Sequence, residues 1–350
     1  MAQIPMIVQD IHINEDSRCF VIAEIGHNHQ GNIDTAKKMI KAAADAGASA
    51  VKLQKRDNKS LFTKSFYDRP YNSENSFGET YGAHREHLEF DADQYRELQT
   101  FSANLGVVFF ATAFDFKSAD FLMDIEVPAF KVASGDLRNI PLIKYLAQFG
   151  KPLFISTGGG SQEDIDRVVT ELKTMNVPYC ILQCTAGYPP SWDELNLRVI
   201  STLRQKYPEQ VIGFSSHDNG IAMSVAAYAL GARVIEKHFT LNRTLKGTDH
   251  AFSLEPQGLS KLVRDLDRLY LALGDGTKRQ YPSELEPLQK MGKKIVFSRD
   301  IGIGETITDS DLEFRSPGDG VSPWMLPQLI GKKLKKAMLK EDSLRLEDVE

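Results

Sequence analysis

Eight short, apolar, β-branched runs recur between residues 19 and 239, and they constrain the fold more than any other feature of the 350-residue chain. They are CFVIAEIG (19–26), SAVKLQK (49–55), GVVFFATA (106–113), PAFKVASG (128–135), KPLFISTGGG (151–160), PYCILQCTAG (178–187), QVIGFSSH (210–217) and ARVIEKHF (232–239). Near-continuous apolar runs of this length fit parallel strands buried on both faces. Helical patterns lie between them. Residues 33–46 set Ile33, Ala36, Ile40, Ala43 and Ala44 on one face and stop at Gly47. Ser161 can cap the segment that follows it, with Asp164 three positions on as the partner of a capping box. Residues 219–231 are apolar nearly all round, as in a helix packed closely on a sheet. Strand–helix alternation repeated eight times predicts an α/β fold, a closed (β/α)8 barrel of the TIM type. A doubly wound open sheet is the alternative.

At about 150 residues per domain the length predicts two domains, and a barrel of about 250 residues plus a small module fits equally well. The alternation ends near Gly274–Gly276. The expected division is a catalytic barrel over 1–276, a polar linker over 277–290 and a small β-rich module over 291–350. Short strands (KIVFSR, DLEFRS) and tight glycine turns mark the last part. Its lysine pairs at 332–333 and 335–336 read as a solvated face. One connection is anomalous: residues 56–90 are rich in Asn, Ser, Gly, Tyr and charge. The aromatics Phe66, Tyr67, Tyr71, Phe77, Tyr81 and Phe90 argue for an ordered loop near the barrel mouth.

Charge and composition exclude several classes. Forty-two Lys and Arg against 47 Asp and Glu give a formal charge of −5. No global positive field exists to hold nucleic acid or an anionic membrane, so any anion must meet a local site. No run of 18 or more apolar residues predicts a membrane span. The N-terminal stretch MAQIPMIVQD lacks the basic start and apolar run of an export signal. Cys19, Cys180 and Cys184 are an odd set without framework spacing, which points to free thiols in a reducing, cytoplasmic setting. On one strand Cys180 and Cys184 would stand about 13 Å apart, too far for a disulfide.

In a barrel the chemistry gathers at the C-terminal ends of the strands. Those ends carry Glu24, Lys52 with Gln54, Thr112, Lys131 with Ser134, Ser156 with Thr157, Thr185, Ser215 with His217, and Glu236 with His238. Hydroxyls, two lysines and glycine turns at 134–136 and 157–160 suit a phosphate or carboxylate, because bare backbone N–H groups let oxygens approach. His217 and His238, at neighbouring strand ends, can share one divalent ion if water, an acid or substrate oxygens complete its shell. Neither His217 nor His238 has a serine partner in a nucleophile-elbow context, so a hydrolase triad has little support.

These segments resemble a known family. AEIGHNHQGNIDTAKKMIKAAADAGASAVKLQ, FKVASGD, FISTGG, LQCTAGYP, GFSSH and EKHFTL…KGTDHAFSLEP are similar to the sialic acid (N-acylneuraminate) synthases. The stretches GIGETITDSDLEFRSPGDGVSP and LIGKKL resemble the antifreeze-like (SAF) domain that ends them. The resemblance covers roughly residues 17–350. It implies condensation of phosphoenolpyruvate with an N-acyl mannosamine, or its 6-phosphate, to a nine-carbon 2-keto acid and inorganic phosphate. It further implies that His217 and His238 hold Mn²⁺, with Mg²⁺ or Co²⁺ as alternatives. Lys52, Thr112, Lys131, Ser134, Ser156 and Ser215 would grip phosphoenolpyruvate, and Glu24 would stand at the reacting centre. Gln54, Tyr188 and Asp249 would face the sugar. Arg315 would reach it from the antifreeze-like domain of the other subunit of a domain-swapped homodimer.

Two positions depart from the family pattern. Ser216 stands where many relatives have Asp, with Asp218 after the histidine, and Ala186 follows the Cys-Thr pair. Residues 69–99 resemble the animal branch, whose acceptor is the 6-phosphate, and offer Arg69, His84, Arg85 and His87 for that group. Legionaminic, pseudaminic and deaminated nonulosonic acid synthases share most of the motifs. The acceptor is therefore open at this level. A non-enzymatic antifreeze-like binder is the rival from another class, and it would not need the strand-end constellation.

Overall fold

The computed structural model describes residues 6–350, so the first half of the N-terminal stretch considered above lies outside the described residues. Contacts divide the chain into two compact units, meeting between Gly274 and Asp275.

The first unit opens with a hairpin, β1 (Met6–Val8) and β2 (Ile11–Ile13). Eight strands follow: β3 (Phe20–Gly26), β4 (Ala50–Lys55), β5 (Val108–Ala113), β6 (Phe130–Val132), β7 (Leu153–Ser156), β8 (Tyr179–Cys184), β9 (Val211–Ser216) and β10 (Val234–His238). Each lies within one of the eight apolar runs. They pair in parallel in sequence order, and β10 closes on β3, giving the barrel that the run pattern predicts.

Period-two alternation sorts the interior by depth. Low in the barrel, the rings of Phe20, Phe110 and Phe154 meet at centroid distances of 5.8 and 5.3 Å. Further along each strand the same parity turns polar, as Phe110 gives way to Thr112 and Phe154 to Ser156 two residues on, and Phe20 to Glu24 four residues on. Gly213 on β9 has no room for a side chain, because a Cβ there would stand 2.4 Å from Leu182 Cδ2 and 2.7 Å from the Val234 carbonyl oxygen.

The helices cover the outside as their patterns require. Helix Ile33–Asp45 buries Ala36, Met39, Ile40 and Ala43 and ends before Gly47, whose φ is +86°. Helix Gln162–Lys173 begins with the Ser161–Asp164 capping box. Cys180 and Cys184 are buried free thiols on β8, and Cys19 is free and half-buried.

The long connection at the mouth is ordered and contains three short helices: Asn58–Leu61, Lys64–Tyr67 and Tyr81–His87. Its far end is pinned to the loop after β3. A Cβ on Gly31 would lie 2.1 Å from the His87 carbonyl oxygen, and His29 stacks on Phe90 at 4.2 Å.

The second unit has its own small core of Ile295, Phe297, Ile301, Ile307, Leu312, Leu329, Leu334, Met338 and Leu344. It holds a short helix, Leu285–Met291, and an antiparallel pair, β11 (Lys294–Phe297) and β12 (Leu312–Arg315). The rest is turns and isolated bridges. Lys332, Lys333, Lys335 and Lys336 are exposed, and Lys336 pairs with Asp348 at 2.6 Å. Among the described residues no helix is long and apolar enough to cross a membrane.

Candidate active site

Most of the polar strand-end residues converge on one cavity of about 470 Å³ at the C-terminal mouth of the barrel. Glu24, Lys52, Gln54, Thr112, Lys131, Ser134, Ser156, Tyr188, Ser215, His217, His238 and Asp249 all line it. Strand pairing explains the convergence. Register sets Glu24 beside both His238 and Lys52, Thr112 beside Lys131, and Ser215 beside Glu236. The register between β3 and β4 shifts between Glu24 and Gly26, an irregularity of the kind that re-aims side chains at barrel rims.

At the base, the Lys52 ammonium lies 2.6 Å from Glu24 Oε2 and donates to Thr112 Oγ1 at 2.8 Å. The Gln54 amide donates to Glu24 Oε1 at 2.7 Å. Lys131 donates to Ser156 Oγ at 2.6 Å and to the Val132 carbonyl at 2.9 Å. Glu236 stands between the lysines, 3.9 Å from Lys52 and 3.8 Å from Lys131, and accepts from the Ser215 hydroxyl at 3.0 Å. Ser134 Oγ is fixed by the Gly158 N–H at 3.1 Å.

The two buried carboxyls are driven apart. Burial pushes Glu24 up; the Lys52 ammonium opposes that shift and Glu236 adds to it. Burial acts on Glu236 in the same sense, but Lys131, Lys52 and His238 outweigh it and hold this carboxyl below its ordinary value. Two acids with opposed shifts in one cavity are the pattern of a proton-transfer group beside a permanent anion. Burial also lowers Lys131, against the pull of Glu236.

At the other side of the cavity, the imidazoles of His217 and His238 stand 5.3 Å apart, centroid to centroid, with Phe252 against both. Burial, then the neighbouring His238, lowers His217 to about 3, and burial lowers His238. Both rings are therefore neutral and each keeps a lone pair. His217 Nδ1 lies 3.1 Å from the Thr185 carbonyl, which can only accept, so its proton is on Nδ1 and its lone pair on Nε2. His238 Nδ1 is buried without a hydrogen-bond partner, 3.7 Å from Asp249 Oδ2. Among the described residues no group of three His, Cys, Asp or Glu side chains forms a closed metal cluster. An orphaned ring nitrogen beside a second neutral imidazole offers two nitrogen donors, so a divalent ion held there would need its remaining ligands from substrate and water.

Some strand-end residues turn elsewhere. The hydroxyls of Thr157 and Thr185 donate to the carbonyls of Leu182 and Glu194. Ser216 faces outward and bonds Asp218, whose carboxylate also pairs with Lys237 at 2.9 Å. Arg315 belongs to the second unit, where Glu313 and Glu341 hold its guanidinium at 2.6 and 2.9 Å. In the mouth segment only Arg85 of the four basic residues considered above lines the cavity. Arg69 borders a separate hollow, His84 is buried with its Nδ1 accepting the Phe77 N–H, and His87 is exposed. Sequence reasoning gave Glu236 no role and passed over Arg56. Glu236 carries the signal of parity, two residues before His238 on β10, whereas Arg56 lies one residue past the end of β4, where strand alternation gives no such signal.

A closed parallel barrel with acids, ammoniums and neutral imidazoles packed around one cavity at its C-terminal mouth is the architecture of a barrel enzyme. Residues 39–278 match the NeuB family, and residues 294–350 match the SAF domain. The chain is 43% identical to the N-acetylneuraminate-9-phosphate synthase of Mus musculus, over 95% of this chain and 93% of the relative. It is 34% identical to the N,N'-diacetyllegionaminic acid synthase of Campylobacter jejuni, over 93% of this chain and 98% of the relative. The crystal structure of an N-acetylneuraminic acid (sialic acid) synthetase from Leptospira borgpetersenii, in complex with citrate, superposes with a TM-score of 0.72 at 35% identity. It covers 81% of this chain and 95% of that one. The chain belongs to the NeuB family and is an enzyme of the sialic acid synthase type.

Proposed function

We propose that this chain condenses phosphoenolpyruvate with N-acetylmannosamine 6-phosphate and water, giving N-acetylneuraminate 9-phosphate and inorganic phosphate. The observation that carries this reading is the pair of buried ammoniums, Lys52 and Lys131, ringed by hydroxyls and set beside Glu24 and two neutral imidazoles in one cavity. A trianionic substrate needs such a local cluster in a protein of net charge −5. The choice of acceptor rests on the higher identity to the 9-phosphate synthase than to the legionaminic acid synthase.

In this reading Lys52 and Lys131 balance the charge of phosphoenolpyruvate, and Thr112, Ser134, Ser156 and Ser215 donate to its oxygens. Gln54, Tyr188 and Asp249 orient the open-chain sugar. A divalent ion, Mn²⁺ in the first place and Mg²⁺ or Co²⁺ otherwise, would be held by His217 and His238 and supply Lewis-acid polarisation of the aldehyde oxygen. A bond forms between C3 of phosphoenolpyruvate and the aldehyde carbon, whose oxygen gains a proton. The π electrons leave C2 cationic. Water adds there and Glu24 accepts one of its protons, which is passed on to the former aldehyde oxygen; the other leaves the C2 hydroxyl with the phosphate as the C2–O bond breaks and the keto group forms. The raised affinity of buried Glu24 for protons suits that role.

Assembly completes the proposal. A homodimer with exchanged C-terminal units would bring the partner subunit's Arg315 to the N-acyl group, since a guanidinium grips a carbonyl with fixed geometry. The free thiols fit a cytoplasmic setting.

The test is mass spectrometry of the products formed from phosphoenolpyruvate with three acceptors in parallel: N-acetylmannosamine, its 6-phosphate, and a diacetamido-trideoxy hexose. The expected preferred product is the nine-carbon keto acid 9-phosphate. Preferential use of the diacetamido sugar would move the chain to the legionaminic type.

A further inference from the structure

Two guanidiniums stand at the cavity, where the Glu89 and Asp249 carboxylates act on Arg56 only from beyond ion-pair distance. Arg56, just past β4, and Arg85, on helix Tyr81–His87, both line it. Neither has a carboxylate within ion-pair distance among the described residues, although the lysines around them are paired. Both are held in place by neutral groups. Arg56 lies over the Phe114 ring, 3.6 Å from its centroid, and donates to Gln54 Oε1 at 2.8 Å. Arg85 donates to the Tyr81 hydroxyl through Nε and Nη2, at 3.1 and 2.9 Å.

The two cations flank one ring. Arg56 Nη1 is 3.2 Å from His27 Nε2, and Arg85 Nη1 is 3.1 Å from His27 Nδ1. Burial, then Arg56 and Arg85, holds His27 well below its ordinary value, so the imidazole is neutral. A neutral imidazole has one lone pair. It can accept from one guanidinium only, and its own N–H meets the other. Burial and the nearby Arg85 lower Arg56 to about 10. Like charges brought together in a cavity, with N–H groups unspent and one donor facing another, are the resting form of an anion site.

We propose that Arg56 and Arg85 form a clamp for the phosphate monoester of the acceptor and so set the enzyme's preference for a phosphorylated over a free sugar. This rests on the reaction proposed above. In that reaction the clamp goes with the sugar, because Arg56 bonds Gln54, whereas Lys131 bonds Ser156 and Val132, and Ser215 bonds Glu236. Planar forks suit a phosphate's paired oxygens, and a lysine in either place would keep the charge but lose the paired geometry.

The experiment compares kcat/KM for N-acetylmannosamine 6-phosphate and for N-acetylmannosamine in the full-length protein and in Arg56→Gln, Arg56→Lys, Arg85→Gln and the double Gln variant. The preference, taken as the ratio of the two values, should fall at least tenfold in each Gln variant and further in the double. Arg56→Lys should lie between wild type and Arg56→Gln. The KM for phosphoenolpyruvate should rise less than that for the phosphorylated acceptor; a larger rise would reassign the arginines to the other substrate's phosphate and overturn the clamp. Arg85 is only half-buried, so Arg85→Gln keeps the test sound if Arg56→Gln disturbs packing against Phe114. A wild-type enzyme that takes only the free sugar would overturn the acceptor assignment itself. A wild-type preference for the phosphate that survives in the double variant would overturn the clamp alone.

Discussion

Lys237 sits between two cavity residues, Glu236 and His238, yet β10 alternation turns it outward, into the layer between barrel and helices. Its side chain and that of Asp218 are each 1% exposed, and they pair at 2.9 Å. The ammonium also donates to the Asp218 backbone carbonyl. Burial lowers the proton affinity of Lys237, and the Asp218 carboxylate works against that shift. The pair therefore ties down the residue next to His217. Lys237→Met keeps length and volume but strands a buried carboxylate with only the Ser216 hydroxyl as donor. Removing one partner of a buried pair costs about 3–5 kcal/mol. For a unit of this size each kcal/mol moves the midpoint by about 2–4 °C, so the barrel transition should fall by roughly 6–20 °C. Thermal unfolding followed by far-UV circular dichroism measures it. Adding Asp218→Asn removes the stranded charge and should recover at least half of the loss. Turnover of the folded single variant at low temperature should also drop, because the chain segment that carries His217 is no longer anchored. A midpoint within 2 °C of wild type would refute the view that this pair holds the loop.

Other outcomes follow from the same geometry. A chelator should abolish turnover and added Mn²⁺, Co²⁺ or Mg²⁺ restore it, with His217→Ala and His238→Ala each losing most activity while thermal unfolding stays cooperative; full activity in excess EDTA would contradict the metal assignment. Glu24→Gln keeps the hydrogen bond to Gln54 but removes basicity, so kcat should fall by about 10²–10⁴ in a phosphate-release assay. Gly213→Ala drives a methyl into Leu182 and the Val234 carbonyl and should destabilise the barrel by about 1–3 kcal/mol in urea unfolding. Mixing Glu24→Gln with Arg315→Ala protein under subunit exchange should restore partial activity if the C-terminal units are exchanged; dead heterodimers would count against that assembly.

The strands were legible because parallel barrel strands are buried on both faces and leave unbroken apolar runs. Parity then read most of the cavity: once a strand's end is located, residues two apart point the same way, which aligns Glu24, Lys52, Thr112, Lys131 and Ser156. Parity also explains what misleads. Thr157 and Thr185 stand at strand ends, but their hydroxyls satisfy backbone carbonyls instead of the cavity. Arg56 lies just beyond its strand, where alternation no longer guarantees direction, and the stack on Phe114 that aims it comes from another strand's end. In the mouth segment charge alone could not separate Arg85 from Arg69, His84 and His87. That separation depends on where the short helix Tyr81–His87 docks, and the docking is set by distant contacts such as Gly31 against His87. Glu236 was visible as a polar strand end, but its place between two lysines emerges only when β4, β6 and β10 curve around one axis.

The most direct measurement uses phosphoenolpyruvate labelled with ¹⁸O at the bridging oxygen, N-acetylmannosamine 6-phosphate as acceptor, and mass spectrometry of both products. Condensation at C3 followed by water addition at C2 predicts a nine-carbon keto acid 9-phosphate and inorganic phosphate that carries the label, since the C–O bond breaks. Unlabelled phosphate, which would mean P–O cleavage, or the absence of a nine-carbon product, would contradict the chemistry assigned to Glu24 and the lysines around it.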